Sequence, residues 1–267
     1  MRAGVLLALP PVILLACMLA QTVQAGFPGL GDIGSAISKA KKTADDTAKV
    51  AKGASGLSLE EEIAIGDAVS IAIVTRYGGV WRDAAATRRV NLIGRILAQY
   101  ATRQDLDWRF GLLNSDAINA FSAPGGRVFI TRGLYQILPN DDELAGVLAH
   151  EIIHIDRRHA VNSIAHNEML SGFSGLLADN SGAFAQFAQV VDAVADEILV
   201  TGYDPNTEFE ADAGGHDLAD VTGFAPGGLR AALILVSTVN AQQQEVLTTH
   251  PPIAQRLQRL PDDPPPP

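Results

Sequence analysis

The sequence is nearly free of cysteine, since Cys17 is the single one among 267 residues. Residues 1–25 have the layout of a secretory signal peptide: Arg2, then an apolar run, then small residues at Val23 and Ala25. We therefore predict cleavage after Ala25. The mature chain would contain no cysteine. This absence excludes disulfide bonds and thiol catalysis, and it restricts any zinc ligands to His, Asp or Glu.

The surroundings of Cys17 also fit a second processing route. The run Leu14–Cys17 resembles a bacterial lipoprotein box, in which the cysteine is acylated and becomes the new N-terminus. Against this, Met18–Ala20 continues the apolar run, and a conventional cleavage site follows. We predict a periplasmic or secreted protein, with a membrane-anchored lipoprotein as the alternative.

Positive charge is scarce as well. The chain has 20 Lys and Arg against 30 Asp and Glu, a net charge of −10. Phosphate binding needs a basic face, so this balance argues against nucleic acid as a partner. All five lysines lie between Lys39 and Lys52, within a segment (26–57) that we predict to be a polar linker or a mobile helix. Its basic face could contact an acidic membrane surface, although a solvated linker is the simpler interpretation.

Long apolar runs are missing beyond residue 25, where no stretch of 18 or more apolar residues occurs. No transmembrane helix is therefore predicted there. Hydrophobic residues still make up 47% of the chain, enough for a packed core. We assign one folded domain to residues 58–260 and a disordered, proline-rich tail to residues 261–267.

The first half of this domain alternates helical and β-prone segments. Ser58 followed by glutamates marks a helix start. Three short β-prone segments follow a second helical pattern, and Pro124–Gly126 between the last two predicts a hairpin turn. The second helical pattern has its apolar residues at Val90, Ile93, Ile96, Leu97 and Tyr100.

The second half is predicted to be helical. Asn140 followed by three acids caps a helix that carries an apolar face. Further helices are expected across residues 160–200, over Glu208–Val221 and after Pro226–Gly228. The chain is thus α+β, mostly helical, with a small antiparallel sheet. The apolar face of the capped helix consists of Leu144, Val147, Leu148, Ile152 and Ile155.

That capped helix contains the pattern HEIIH at residues 150–154. Four residues make slightly more than one turn, so His150 and His154 lie about 40° apart in projection and both imidazoles can reach one ion. Glu151 is rotated by about 100° and borders the ion without sharing that row. A hydrolytic zinc site needs such a carboxylate to take a proton from the attacking water.

A hydrolytic zinc site usually has three protein ligands, and TEFEADAGGH offers a third. Glu208 and Asp212 share one helix face, so Glu208 can bind the metal while Asp212 accepts the outer N–H of a ligand histidine. Glu210 points elsewhere and is expected to be solvated. The alternative is that the two histidines are partly buried polar groups and the two acids are surface residues.

The runs INAFSAPGGRVFITRGLYQI and DDELAGVLAHEIIHIDRRHA, followed by EFEAD and THPP, resemble the gluzincin metallopeptidase family of HtpX, the CAAX prenyl endopeptidase and the BepA-type periplasmic proteases. The resemblance implies a zincin-like fold and one Zn²⁺ per chain. The missing membrane spans favour its soluble periplasmic branch. By this resemblance His150, His154 and Glu208 are zinc ligands, Glu151 is the catalytic base, and Asp212 supports a ligand.

The same resemblance implies that Asn119, Ala120 and Phe121 form an edge strand that pairs with an extended peptide beside the zinc. Phe121 has core packing as its simpler role. His250, in TTHPP, is implied to lie near the site, as an oxyanion donor, as a fourth ligand that keeps the enzyme latent, or merely as a cap of the last helix. His159, nine residues after His150, is predicted on the opposite helix face as a structural residue.

We therefore predict a secreted zinc metalloendopeptidase that cleaves envelope proteins, misfolded or unassembled ones above all. One alternative is a non-catalytic, chaperone-like zinc protein that binds extended polypeptides. Glu151 argues against it, because a purely structural zinc site has no use for a base. A second alternative is a hydrolase of small amides, which the strand motif disfavours.

Overall fold

The structure is a computed structural model that describes residues 57–166, 181–243 and 250–261. The predicted signal peptide with Cys17, the lysine-rich segment and the proline-rich tail lie outside these ranges. Within them, no helix combines the length and the apolar character needed to cross a membrane.

The domain opens with two helices, as predicted, and both are capped. In α1 (Leu59–Arg76), the Ser58 hydroxyl accepts from the backbone N–H of Glu61, and the Glu61 carboxylate accepts from the backbone N–H of Ser58. This reciprocal capping box satisfies two amides that would otherwise lack partners. Helix α2 (Ala84–Ala98) is capped by Asp83. The prediction was wrong for Tyr100, which lies past the end of α2 and is 58% exposed.

Three strands follow, β1 (Arg109–Leu113), β2 (Ala120–Ala123) and β3 (Arg127–Thr131), in the order β1-β3-β2. The predicted hairpin is present, since β2 and β3 pair antiparallel across a turn in which Gly125 and Gly126 take left-handed φ values of 76° and 90°. The sheet as a whole is mixed instead of antiparallel, because β1 pairs parallel with β3. The chain passes from β1 to the far edge of the sheet and returns through its centre, so β2 forms one edge.

A short helix that the sequence did not predict, α3 (Arg132–Ile137), leads to the helix that contains HEIIH, α4 (Asp141–Asp156). The Asn140 side chain accepts from the backbone N–H groups of the first turn, as predicted. All five residues of the predicted apolar face are buried, and so are the polar residues of HEIIH. Helix α4 is therefore a central helix of the domain, covered on all sides.

Helices make up the rest of the described chain. They are α5 (His159–His166), α6 (Ser181–Asp196) with a π-helical turn at Glu197–Thr201, α7 (Pro205–Val221), α8 (Gly228–Gln243) and α9 (Ile253–Arg259). Among them, α7 and α8 pack most extensively on α4. Helix α7 begins earlier than predicted, because Asp204 caps it and Pro205 occupies its first turn.

Close packing of α7 against α4 depends on glycine. A Cβ atom on Gly215 would lie 2.9 Å from the backbone nitrogen of His150, so a larger residue would push the two helices apart. This contact sets how closely the side chains of α7 approach HEIIH.

The site lies where two apolar clusters meet. One cluster joins α2, α4, α7, α8 and the sheet and contains Ala120, whereas the other joins α1, α5, α6 and the π-helical turn and contains Phe121. Strand β2 thus belongs to both clusters, and its contacts with α4 hold its edge beside the HEIIH residues.

Candidate metal centre

The two histidines of HEIIH converge one helical turn apart on α4. Their Nε2 atoms are 3.1 Å apart, and both residues are buried, with exposures of 3% and 2%. The sequence spacing predicted this shared direction. Two imidazole nitrogens held this close are able to bind one metal ion together.

Glu208 completes the cluster from α7. One carboxylate oxygen lies 3.6 Å from Nε2 of His150, and the other lies 3.6 Å from Nε2 of His154. Glu208 is fully buried, and its Oε1 atom has no hydrogen-bond partner among the described residues. An unpaired carboxylate oxygen is costly in the interior unless a cation satisfies it.

The spacing of these atoms fits a metal ion. Ligand atoms about 2.1 Å from a tetrahedral ion are about 3.4 Å from one another. The two Nε2 atoms are 3.1 Å apart, and each lies 3.6 Å from a different oxygen of Glu208. The donor set of two imidazoles and one carboxylate is one that zinc accepts. These residues therefore fit the metal that the sequence implied.

His150 is supported by a buried ion pair. Its Nδ1 atom lies 3.0 Å from Oδ1 of Asp212, one turn beyond Glu208 on α7. Arg256, on α9, donates to both oxygens of the same carboxylate, at 2.9 and 2.5 Å. Burial alone would raise the pKa of Asp212, but the hydrogen bonds from Arg256 and His150 outweigh it and hold that pKa well below its usual range. Burial and Arg256 lower the pKa of His150, but Asp212 and Glu208 leave it raised overall.

His154 has a different environment. Tyr203 stacks on its ring, with centroids 4.5 Å apart and an interplanar angle of 19°. The Nδ1 atom of His154 lies 2.9 Å from Nδ1 of His159. Burial first, and then the neighbouring imidazoles, hold the pKa of His154 well below 6.5, so the ring is neutral at pH 7.

The prediction that His159 lies on the opposite face of the HEIIH helix was wrong. Helix α4 ends at Asp156, and Arg158 takes a left-handed φ of 58°, so the chain reverses and brings His159 back beside His154. The 3.6-residue period stops applying once the helix has ended.

Glu151 is buried between two cavities, with an exposure of 4%. The cavity on one side is mostly apolar, and the cavity on the other side includes Tyr203 and Glu197. His250 and Ala120 line both. Glu151 therefore lines the same two cavities as the histidines of HEIIH, one with His150 and the other with His154. The apolar lining consists of Ile118, Ala120, Leu134, Val147, Leu229, Ala232, Leu233 and Val236.

The residues predicted as a substrate strand lie along the edge of the sheet. Ala120 and Phe121 belong to β2, and Asn119 precedes it, where its carboxamide oxygen accepts from the backbone N–H of Ala120 at 2.9 Å. Phe121 is buried against Tyr77, with ring centroids 4.5 Å apart, so its side chain serves the core. The predicted pairing with a peptide would therefore use the backbone of β2 and not the side chain of Phe121.

His250 approaches the cluster from a distant part of the chain. Its Nδ1 atom lies 2.7 Å from Glu208 Oε2, and together with His150 and Glu208 it forms a group whose ligand atoms all lie within 4.8 Å. No side chain caps the first turn of α9, although capping of this helix was one of the roles considered for His250. Burial would raise the pKa of Glu208, but the contacts with His250, His150 and Arg256 keep that pKa lowered.

The sequence analysis did not predict the contacts that three residues make with the cluster: Tyr203, Arg256 and His159. No periodicity links them to HEIIH, because each reaches it through a turn or a separate helix. Glu210, in contrast, lies away from the cluster as expected. Its side chain is 55% exposed and lies 3.6 Å from Arg157.

The sequence model of peptidase family M48 matches residues 84–263. That match includes HEIIH, Glu208, Asp212, His250 and Arg256. It extends from α2 beyond the end of α9, which is most of the domain.

Curated proteins are also similar. The chain is 26% identical over 238 residues to the beta-barrel assembly-enhancing protease of Escherichia coli K12, covering 85% of this chain and 48% of that protein. It is 29% identical over 177 residues to the protein of that name from Yersinia pestis, covering 56% and 36%. It is 29% identical over 175 residues to the mitochondrial metalloendopeptidase OMA1 of Schizosaccharomyces pombe, covering 63% and 50%. The aligned regions thus span half or less of each of these relatives.

Proposed function

Because the chain belongs to peptidase family M48, we propose that it is a zinc-dependent endopeptidase that acts on polypeptides in the bacterial envelope. The observation that carries the proposal is the convergence of His150, His154 and Glu208, in which the unsatisfied Oε1 atom of Glu208 lies 3.6 Å from Nε2 of His154. Oε1 has no donor among the described residues, and a bound cation would satisfy it.

We assign His150, His154 and Glu208 as the residues that would hold one Zn²⁺. When bound, zinc supplies Lewis acidity and lowers the pKa of a water molecule. Asp212 would accept the Nδ1–H of His150, and Arg256 keeps Asp212 ionised and fixed. Asp212 and Arg256 thus orient a ligand without binding the metal.

Glu151 is the proposed general base. It is adjacent to His150 in sequence, lies at the cavity wall and is not one of the three converging residues. Its carboxylate would take a proton from the attacking water and then deliver it to the leaving amine, so the same group serves in both halves of the reaction.

The edge of β2 is the proposed platform for the substrate. An extended peptide can add to a sheet edge through backbone hydrogen bonds, whatever its sequence. The four residues of β2 are buried in the structure, so the peptide would have to displace the groups that cover this edge. The apolar cavity beside Glu151 would receive a small aliphatic side chain of such a peptide. A small amide would use none of these features, so the arrangement supports peptide substrates.

The location and the substrates are extensions of the proposal. The N-terminal sequence supports export, and the name of the E. coli relative refers to assembly of β-barrels. We propose that unassembled or misfolded envelope proteins are the substrates, because such chains present the extended segments that an edge strand can pair with.

The test is digestion of unfolded casein by the purified mature protein, with and without a chelator, beside the Glu151→Gln variant. We expect chelator-sensitive cleavage, and a loss of on the order of a hundredfold or more in the variant, with zinc retained at one per chain. Normal turnover in the variant would remove Glu151 from the mechanism. Zinc binding and casein binding without cleavage by the wild type would favour the chaperone-like alternative.

A further inference from the structure

We propose that His159 is a positioning residue: its Nδ1 atom accepts the outer N–H of His154 and so selects the tautomer in which Nε2 of His154 faces the metal. The inference rests on the proposed function, because it takes His154 as a ligand. It concerns the support of that ligand, on the side of the cluster remote from Asp212.

The turn after α4 is built to bring His159 to this place. Arg158, in its left-handed conformation, donates to the carboxylate of Glu62 at 2.6 Å. Glu62 is 1% exposed and also binds Arg103 at 3.1 Å. A buried carboxylate with two guanidinium partners fixes the reversal of the chain, and His159 starts α5 directly after it.

The position of the protons follows from the contacts. A nitrogen that binds a metal carries no hydrogen, so a neutral His154 that binds through Nε2 must carry its hydrogen on Nδ1. The Nδ1 atom of His159 lies 2.9 Å from it, a normal hydrogen-bond distance. His159 must then present a lone pair there and carry its own hydrogen on Nε2.

The Nε2 atom of His159 is consistent with that assignment. It lies on the side of Glu210, 3.8 Å from Oε2, and it is buried without a hydrogen-bond partner among the described residues. The attraction of a half-exposed carboxylate favours hydrogen on this nitrogen. Tyr203, stacked on His154, restrains the plane of the ring, while His159 restrains its direction within that plane.

An imidazole is an unusual acceptor for this purpose, since ligand histidines are mostly held by carboxylates, backbone carbonyls or water. It brings no negative charge to His154. It does fix the same geometry, so its loss should weaken metal binding in the way that loss of any such outer partner does.

The experiment measures zinc affinity of the full mature chain by competition with a chromophoric chelator. His159→Leu removes the acceptor, and we expect zinc affinity to fall by about 10- to 100-fold. His159→Asn keeps an oxygen near the position of Nδ1 and should restore affinity to within about threefold of the wild type. Arg157→Ala, which removes the other partner of Glu210 but does not contact His154, serves as the matched control and should bind zinc normally.

A second readout separates positioning from general damage. At saturating zinc, His159→Leu should recover most of its kcat with an unchanged KM for casein, and metal-free samples of all variants should unfold at similar temperatures. Wild-type zinc affinity in His159→Leu, or an equal loss in His159→Asn, would overturn the inference while leaving the proposed function intact. A wild-type protein that binds no zinc would overturn both.

Discussion

The two histidines of the cluster share one helix and one direction, yet they are held by opposite kinds of chemistry. His150 contacts a buried ion pair, Asp212 with Arg256, that joins α7 to α9. His154 contacts two neutral aromatic groups, Tyr203 and His159, that follow turns of the chain. One support is charged and assembled from distant helices. The other is uncharged and depends on local reversals.

The difference predicts what each support controls. The Asp212–Arg256 pair ties the metal cluster to α9, and α9 immediately follows the segment that carries His250. A change there should alter both the cluster and the position of His250. On the other side, His159 contacts His154, so a change of His159 should act mainly on His154. Tyr203 lines one cavity together with His250, so a change of Tyr203 should reach further.

The largest expected effect comes from Glu208, which contacts both histidines of the cluster. Glu208→Ala removes the carboxylate that faces the two imidazoles, and we expect loss of stoichiometric zinc and of activity by more than about a hundredfold, since even an outer partner is worth 10- to 100-fold. Glu210→Ala, two positions along α7 and half-exposed, should keep its zinc. Metal analysis after gel filtration decides it, and zinc kept by the first variant but lost by the second would reassign the carboxylate.

His250 gives the next largest effect, and its sign distinguishes two roles. If His250 donates to the oxyanion, His250→Ala should lower kcat by about ten- to a thousandfold with zinc retained. If it occupies the open position of the metal, the variant should be more active than the wild type. The contact with Glu208 brings the imidazole within reach of either role. Unchanged kcat and KM would leave His250 without a part in catalysis.

In the metal-free protein, breaking the Asp212–Arg256 ion pair should lower the free energy of unfolding more than removing the contacts of His154. Arg256→Met leaves Asp212 as a buried carboxylate without its cation, and we expect a loss of about 3–5 kcal/mol in the free energy of unfolding. Asp212→Asn combined with Arg256→Met should regain most of that loss. Arg259→Met, on the same helix but exposed, is the control and should change stability by less than about 1 kcal/mol. Urea unfolding measures all three, and equal losses for both arginines would mean that the ion pair is not special.

The smallest expected effect concerns how the stability of the metal-free protein depends on pH. His150 and His154 contribute to this dependence with opposite signs. The pKa of His154 is lowered below 6.5, so the unfolded chain takes up a proton first and stability falls as the pH drops below 6.5. The pKa of His150 is raised, so its contribution is present below pH 6.5 and is lost as the pH rises through the folded pKa.

We therefore expect His154→Gln to flatten the loss of stability as the pH falls from about 6.5 to 5, and His150→Gln to flatten the loss of stability as the pH rises above about 6.5. Urea unfolding of the metal-free variants on both sides of about pH 6.5 gives the two slopes. Slopes that change in the same direction would contradict the assignment of opposite shifts to the two histidines.

The sequence by itself determined the features that depend on local periodicity and capping. The side chains of Ser58, Asn140 and Asp204 accept from helix amides within three residues. Because caps act locally, the predicted helix starts agree with the structure or lie within a few residues of it. His150 and His154 share a face because four residues make about one turn, and Glu208 and Asp212 share a face for the same reason. The β2–β3 hairpin followed from Pro124–Gly126. The mixed sheet did not, since strand order depends on which strand the chain passes over.

Only the tertiary structure decided which partner each of these side chains meets. Arg256 reaches Asp212 across 44 residues of chain, and His250 reaches Glu208 across 42, distances at which no sequence period carries information. His159 was assigned to the wrong face because the prediction continued a helix that the chain ends at Asp156. The turn there is held by Glu62, which lies almost a hundred residues earlier and becomes a partner of Arg158 only in the folded domain. Local spacing fixes the direction of a side chain, whereas its partner is fixed by the packing of whole helices, and the contrast between the two histidine supports arises from that second step.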